Sequence, residues 1–288
     1  MTAPYCQSSP AGAHIPLTIL IMTRNETKKI EPCLKAIANF APVVIVDTGG
    51  DPAMQKMAEK YGARFVAYEW NGRYPKKRQW ALEALELDHN WILFIDADER
   101  IPQKLKTEIT TLFATKPEKD GYFIPSVYKI NTQICRFGLR NNKLVLFDRT
   151  RLAFPVVDDL KCPGMGEIEG HYQPVSRNFP APVTIGRLKN PMVHLAFEDE
   201  EKWYERHNQY ARWAACMTSR KSWPVDPVPW RQKLKECSRV LLPVMPFIAF
   251  AHSYILKAGF IDGQAGLKLA KSRYYYYKKI RECGRALV

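Results

Sequence analysis

Four times in its first 115 residues the chain follows a short run of strand-forming apolar residues with a stretch whose apolar residues recur at helical spacing. Leu17–Met22 is a continuous run of strand-forming residues, apolar but for Thr18, as expected of a strand buried on both faces. Ile30, Leu34, Ile37 and Ala38 come next on one helical stripe. Val43–Val46, Arg64–Tyr68 and Trp91–Ile95 read as three further strands. Three more helical stripes accompany them: Met54, Met57, Ala58 and Tyr61; Trp80, Ala81, Ala84 and Leu85; Leu105, Ile109, Leu112 and Phe113. Such alternation predicts βαβ units on a mostly parallel sheet, an α/β fold. Ligands of these sheets sit beyond the carboxyl ends of the strands. The residues that follow each strand are therefore the candidate site.

Those residues are polar at three strand ends. The first strand runs into Thr23-Arg24-Asn25-Glu26, the second into Asp47-Thr48-Gly49-Gly50-Asp51, and the fourth into Asp96-Ala97-Asp98-Glu99-Arg100. Two carboxylates at i and i+2 on a strand leaving the sheet suit one hard divalent cation, Mg²⁺ or Mn²⁺, bound through oxygen. An Asp after a neighbouring strand can accept hydrogen bonds from a base or ribose. A bare Asp-x-Asp is also common as a solvated turn or helix cap. Here it directly follows Trp-Ile-Leu-Phe-Ile and precedes Ile101-Pro102, where proline suits a helix start.

After residue 120 the pattern turns strand-rich (Gly121–Ile130, Lys143–Phe147, Ala181–Ile185) and from about residue 199 helical, with Trp203, His207, Tyr210 and Ala214 on one stripe. Trp223–Trp230 holds three prolines in eight residues and reads as a linker. Seven scattered cysteines without a CxxC pair argue against a metal cage or disulfide framework and favour a reducing cytosol.

The ordered set of segments LTILIMTRNE (17–26), VVIVDTGG (43–50), PKKRQWALEAL (75–85), WILFIDADERIP (91–102), GEIEGHYQP (166–174) and RLKNPMVHLAFEDEEKWYERHNQYARWAA (187–215) resembles glycosyltransferase family 2, the inverting nucleotide-sugar transferases of GT-A fold. Within it the chain looks most like bacterial enzymes of lipopolysaccharide core or exopolysaccharide synthesis, over roughly residues 15–285. The resemblance implies that Thr23, Asn25, Glu26 and Asp47 line the pocket for the nucleotide of a donor, expected to be a UDP-sugar, and that Lys77 and Arg78 approach the diphosphate. It implies that Asp98 ligates the cation and Asp96 holds the ribose or a metal-bound water. His194 would reach the metal or diphosphate, with a core histidine as the alternative reading. Glu167 would be the general base, with Glu169 two residues on as second choice and Asp158 and Asp159 outside candidates. His171, His207 and Asn208 also match, and His207 continues an apolar stripe, which favours packing. A nucleotide-binding module without activity is an alternative. A nucleotidyltransferase would be expected to carry a Gly-rich phosphate loop, which Thr23–Glu26 is not.

Charge adds a clue about location. The chain carries +14, and residues 231–288, with 12 basic and 3 acidic side chains, account for +9 of it. Within this stretch Val240–Ile261 is apolar but interrupted by Pro243 and Pro246, so an interfacial segment is favoured over a full span. A helix after Gly263 would place Leu269, Tyr276, Ile280, Cys283 and Leu287 on one face and Lys268, Lys271, Lys278, Arg281 and Arg285 on the other, the pattern of a helix lying on an anionic membrane. Most tyrosines fall away from the basic stripe, which argues against nucleic acid. The expected organisation is a disordered N-terminus (1–14), a GT-A domain (15–222) and a basic helical extension (223–288), peripheral on the inner face of the cytoplasmic membrane.

Overall fold

Strand β1 (Leu17–Thr23) runs through the middle of the computed structural model, which describes residues 15–170 and 172–286. The expected disordered segment 1–14, His171 and Leu287 lie outside the described residues. The strand–helix rhythm is realised as α1 (Thr27–Ile37), β2 (Val43–Thr48), α2 (Pro52–Lys60), β3 (Arg64–Tyr68), α3 (Lys77–Ala84), β4 (Trp91–Asp96), β5 (Glu99–Arg100) and α4 (Gln103–Ala114). Local chemistry starts α2 where it starts. Asp51 accepts a hydrogen bond from the Ala53 amide at 2.8 Å and Pro52 opens α2.

The second half is built from β6 (Gly121–Ile130), β7 (Gln133–Ile134), β8 (Asn141–Asp148), β9 (Leu152–Ala153), β10 (Val175–Ser176), β11 (Ile185–Arg187) and β12 (Met192–His194), then α5 (Glu200–Ser219), α6 (Pro229–Val240), α7 (Met245–Ala251) and α8 (Gly263–Arg285). One ten-stranded sheet has the order β3-β2-β1-β4-β8-β6-β12-β5, with β7 and β11 also on β6. β3, β2, β1 and β4 are parallel, and β8 enters antiparallel to both β4 and β6. The Ala181–Ile185 strand expected from sequence is corrected to Ile185–Arg187. Pro180 and Pro182 lack the amide a ladder needs.

The seven thiols expected to stay unpaired do not all do so: Cys162 and Cys216 form a disulfide across 54 residues of sequence. It ties the segment after β9 to α5. Gly164 lies in that segment with φ +113°, and a Cβ there would run into the Gln209 carbonyl of α5. Beside it Asp159 is fully buried and accepts from Lys76 Nζ (2.8 Å), Tyr74 Oη (2.6 Å) and Trp213 Nε1 (2.9 Å). Asp159 is thus a structural anchor for the start of α3.

α8 corrects a second expectation. Its Leu269 and Ile280 are buried and its Tyr276 and Cys283 pack on the core, against α5 and α7. Protein therefore occupies the face expected to meet lipid. The apolar stretch 240–261 breaks into the short α7, a π-helical turn (His252–Leu256) and a 3₁₀ turn (Gly259–Asp262). No helix among the described residues is long and apolar enough to cross a membrane.

Replacing Asp159 with Ala strands the Lys76 charge in the interior, where loss of one partner of a buried pair costs about 3–5 kcal/mol. Denaturant unfolding of Asp159→Ala should show a loss of that size; a change below about 1 kcal/mol would mean Lys76 finds another partner or water.

Candidate active site

Parallel register aligns the strand ends. Thr23 pairs with Asp47 across β1 and β2, and Met22 with Asp96 across β1 and β4. The polar residues after each strand therefore meet at one edge of the sheet, in two clusters.

The first cluster lies beyond β1 and β2. Asp47 is fully buried and accepts from Thr23 Oγ1 at 2.8 Å and from the Asp51 amide at 3.0 Å. Lys77, the first residue of α3, donates to the Thr23 carbonyl (2.5 Å) and to Thr48 Oγ1 (2.6 Å). Thr48 in turn donates to Glu167 Oε1 at 2.6 Å, and the other Glu167 oxygen lies 3.8 Å from Arg24. Burial pushes the Lys77 ammonium down to about 8, against the opposing pull of Glu167 and Asp47. Asn25 takes a left-handed φ of +57°, a conformation that asparagine tolerates, and is exposed at the rim. Glu26 sits at the start of α1 and pairs with Lys29 at 3.4 Å.

The second cluster lies beyond β4. Asp96 Oδ1 accepts from Arg78 (3.0 Å) and Oδ2 from Lys143 (2.8 Å); Lys143 also reaches Glu99 at 2.8 Å. Burial alone would raise the Asp96 carboxyl, but Lys143 and Arg78 outweigh it and hold it well below the usual carboxylate range. Asp98 Oδ1 lies 3.3 Å from His194 Nε2 and Oδ2 lies 3.5 Å from Arg206 of α5. Burial likewise opposes ionisation of Asp98, and His194 and Arg206 overcome it. His194 arrives through the antiparallel pairing of β12 with β5, stacks on Tyr128, and has no hydrogen-bond partner at Nδ1 among the described residues.

α3 joins the two clusters, because Lys77 serves the first and Arg78 the second. Glu169 sits under this helix and accepts from the Arg78 and Gln79 amides at 3.0 Å each, satisfying amides that a helix start leaves unpaired. Burial raises the Glu169 carboxyl. His207 stacks on Trp203 at 3.7 Å between ring centroids, in keeping with packing. Thr48, Lys143 and Arg206 were not singled out from sequence. Thr48 lies inside a polar cluster read there, whereas Lys143 and Arg206 come from β8 and α5 and had no local signal.

No three His, Cys, Asp or Glu side chains form a cation cage among the described residues. Asp98 Oδ1 and His194 Nε2 nevertheless converge, one hard oxygen and one imidazole nitrogen. Mg²⁺ or Mn²⁺ commonly takes one or two protein carboxylates and completes its shell with phosphate oxygens and water, so this donor set fits such an ion.

The model of the family described as "Glycosyl transferase family 2" matches residues 18–177, more than half of the chain. The lipopolysaccharide core biosynthesis glycosyltransferase LpsC of Rhizobium meliloti is 30% identical over 113 residues, 38% of this chain and 41% of that protein. An uncharacterized glycosyltransferase of Rickettsia bellii is 34% identical over 107 residues, 37% of this chain and 35% of that one. The matches thus span well under half the length of these relatives. A mannosyltransferase from Pyrobaculum calidifontis, solved with GDP-mannose and Mn²⁺, shares the fold with a TM-score of 0.51 at 15% identity, over 94% of this chain and 87% of that one. With the family's model matched over residues 18–177 and the fold shared along nearly the whole length, the chain belongs to glycosyl transferase family 2 and has the GT-A fold.

Proposed function

We propose that the protein is an inverting glycosyltransferase. It moves a sugar from a nucleotide-sugar, a UDP-sugar in our reading, to a saccharide or lipid-linked saccharide acceptor in bacterial lipopolysaccharide core or exopolysaccharide synthesis. The observation that carries this reading is the pair of clusters at one sheet edge, spanned by the consecutive cations Lys77 and Arg78. A nucleoside laid over β1 and β2 would meet Asn25 at the rim and lie over the buried Thr23–Asp47 pair, with its diphosphate toward the cations of the β4 cluster. The Rhizobium relative named for lipopolysaccharide core biosynthesis and the Pyrobaculum enzyme bound to GDP-mannose and Mn²⁺ support the substrate class.

Asp98 and His194 would hold a divalent cation, with Asp96 beside them. When bound, that ion supplies positive charge for the departing diphosphate. Of the two candidate bases, Glu169 has both oxygens engaged by α3 amides, whereas Glu167 keeps an oxygen that meets only Arg24 at 3.8 Å. Glu167 therefore has a lone pair with which to take the acceptor hydroxyl proton as that oxygen attacks the anomeric carbon and the nucleoside diphosphate leaves. A screen of UDP-, GDP-, ADP- and dTDP-sugars should find one donor turned over in the presence of Mg²⁺ or Mn²⁺. Glu167→Gln should lower kcat about 10²–10⁴-fold, the range of a general base, and Asp98→Ala should abolish metal-dependent turnover. Full activity in both variants would refute the assignment.

Lys77 makes donor binding depend on pH. Its folded-state value of about 8 lies below the free amine's, so its charge is present below pH 8 and lost as pH rises through it. Affinity for the nucleoside diphosphate should fall between pH 7 and 9, by up to about tenfold per pH unit at the top of the range. Calorimetric titration should show this slope in the native chain and a flat profile in Lys77→Met.

The same reading places the protein on an anionic membrane through residues 231–288, at the inner face of the cytoplasmic membrane. Support comes from a ridge beside α8. Val244 just before α7, Phe247 and Ile248 of α7, Ile255 and Leu256 of the π-helical turn, and Phe260 and Ile261 of the 3₁₀ turn are all exposed, Leu256 to 76%. Lys257 sits within the ridge, Arg281 reaches the Pro243 carbonyl at its end, and Val240–Ile261 contains no acidic residue. Each cation near an anionic bilayer contributes about 1 kcal/mol. The ridge also adjoins the site: Lys257 and Ser253 accept from the Gly138 and Leu139 amides, just before the strand that carries Lys143. Flotation with phosphatidylglycerol-containing vesicles should recover the native chain and lose Phe247→Glu/Leu256→Glu; equal recovery of the two would refute the membrane surface.

A further inference from the structure

The side chains beyond β4 balance one another's charge. Three carboxylates, Asp96, Asp98 and Glu99, meet three cations, Arg78, Lys143 and Arg206, through contacts of 2.8 to 3.5 Å. The nearby Arg100 is spent on the carbonyls of Ala97, Glu99 and Lys29. Asp98 and Glu99 are buried, and Lys143 is four-fifths covered. A net charge placed here would be poorly solvated.

Occupancy of the carboxylate oxygens matters equally. Both Asp96 oxygens are taken, by Arg78 and Lys143, and both Asp98 oxygens face a partner, His194 or Arg206. A divalent cation entering by itself must displace one of these and leaves about two positive charges uncompensated. A nucleoside diphosphate entering by itself sets its negative charge against three carboxylates. Entering together, the two nearly cancel, and the phosphate oxygens offer the displaced Lys143 and Arg206 new partners.

We propose that Lys143 and Arg206 are built-in counter-ions that make binding of the divalent cation and of the nucleoside diphosphate mutually dependent. Arg206 competes with the metal for the Asp98 carboxylate and Lys143 for that of Asp96 beside it, and the diphosphate relieves that competition. This inference rests on the reading above that a nucleotide and a divalent cation share the site. It goes further by assigning a role to two residues outside the strand-end motifs. Linkage then requires the effect to be reciprocal: the factor by which nucleotide tightens the metal is the factor by which metal tightens nucleotide.

The test measures binding, with no turnover involved. Free Mn²⁺ is followed by electron paramagnetic resonance in titrations of the full chain, alone and with saturating UDP, and with GDP in a parallel arm. The native chain should bind Mn²⁺ at least about tenfold more tightly with nucleotide, within the usual range of coupling between sites. Lys143→Met and Arg206→Met should each tighten Mn²⁺ binding in the absence of nucleotide and shrink the coupling factor. Arg206 is partly exposed, so its variant remains informative if Lys143→Met does not fold. If Lys143 and Arg206 only held the carboxylates in place, both variants would weaken Mn²⁺ with or without nucleotide, and the proposal would be overturned. Nucleotide binding with no coupling to Mn²⁺ overturns it while leaving the donor reading intact; binding of neither nucleotide overturns both.

Discussion

The buried ion pair of Lys76 and Asp159 holds the site together. Neither side chain meets solvent, and Asp159 also accepts from Tyr74 and Trp213. An ion pair so placed tolerates little displacement, because either charge left alone in the interior is strongly disfavoured. It therefore sets where α3 begins relative to α5 and to the segment that carries Glu167 and Glu169. That segment is held a second time by the disulfide to α5.

The start of α3 matters because successive helical residues point about 100° apart. Lys77 and Arg78, the first two residues of the helix, consequently leave in different directions, one toward the ends of β1 and β2 and the other toward β4. Two sites needing positive charge are served by one turn of helix. The amides of that turn need an acceptor, and Glu169 provides it from 91 residues away in sequence. Glu167, one residue before Ile168, whose carbonyl accepts from Lys76, returns to Thr48 and closes the loop.

The first 115 residues were legible because their information is local. A strand buried on both faces must be apolar throughout, a helix on its surface must repeat every three or four residues, and the polar residues that follow the strands must share an edge if the strands are parallel. Register then places Thr23 beside Asp47 and Met22 beside Asp96. The second half was less legible because its contacts are not local. Lys143 reaches Asp96 only because β8 runs antiparallel to β4. His194 matched a family motif, but its contact with Asp98 comes from β12 pairing with a two-residue strand. Cys162 and Cys216 carry no spacing signal, and α8 has an amphipathic pattern that would suit a bilayer or a protein equally well.

By itself the sequence determined the α/β class, the strand-end clusters and the basic, apolar character of the tail, since periodicity and composition follow directly from which side chains water excludes. Tertiary structure alone decided what those clusters contain and which surface is free. It supplied Lys143 and Arg206 as partners for the carboxylates, engaged Glu169 as the acceptor for a helix start, and buried the face of α8 against α5 and α7 while leaving the α7 ridge exposed. The physical reason is the same in each case. A charge or an apolar face states what kind of partner it needs, and only the folded chain settles which of the available partners stands within reach.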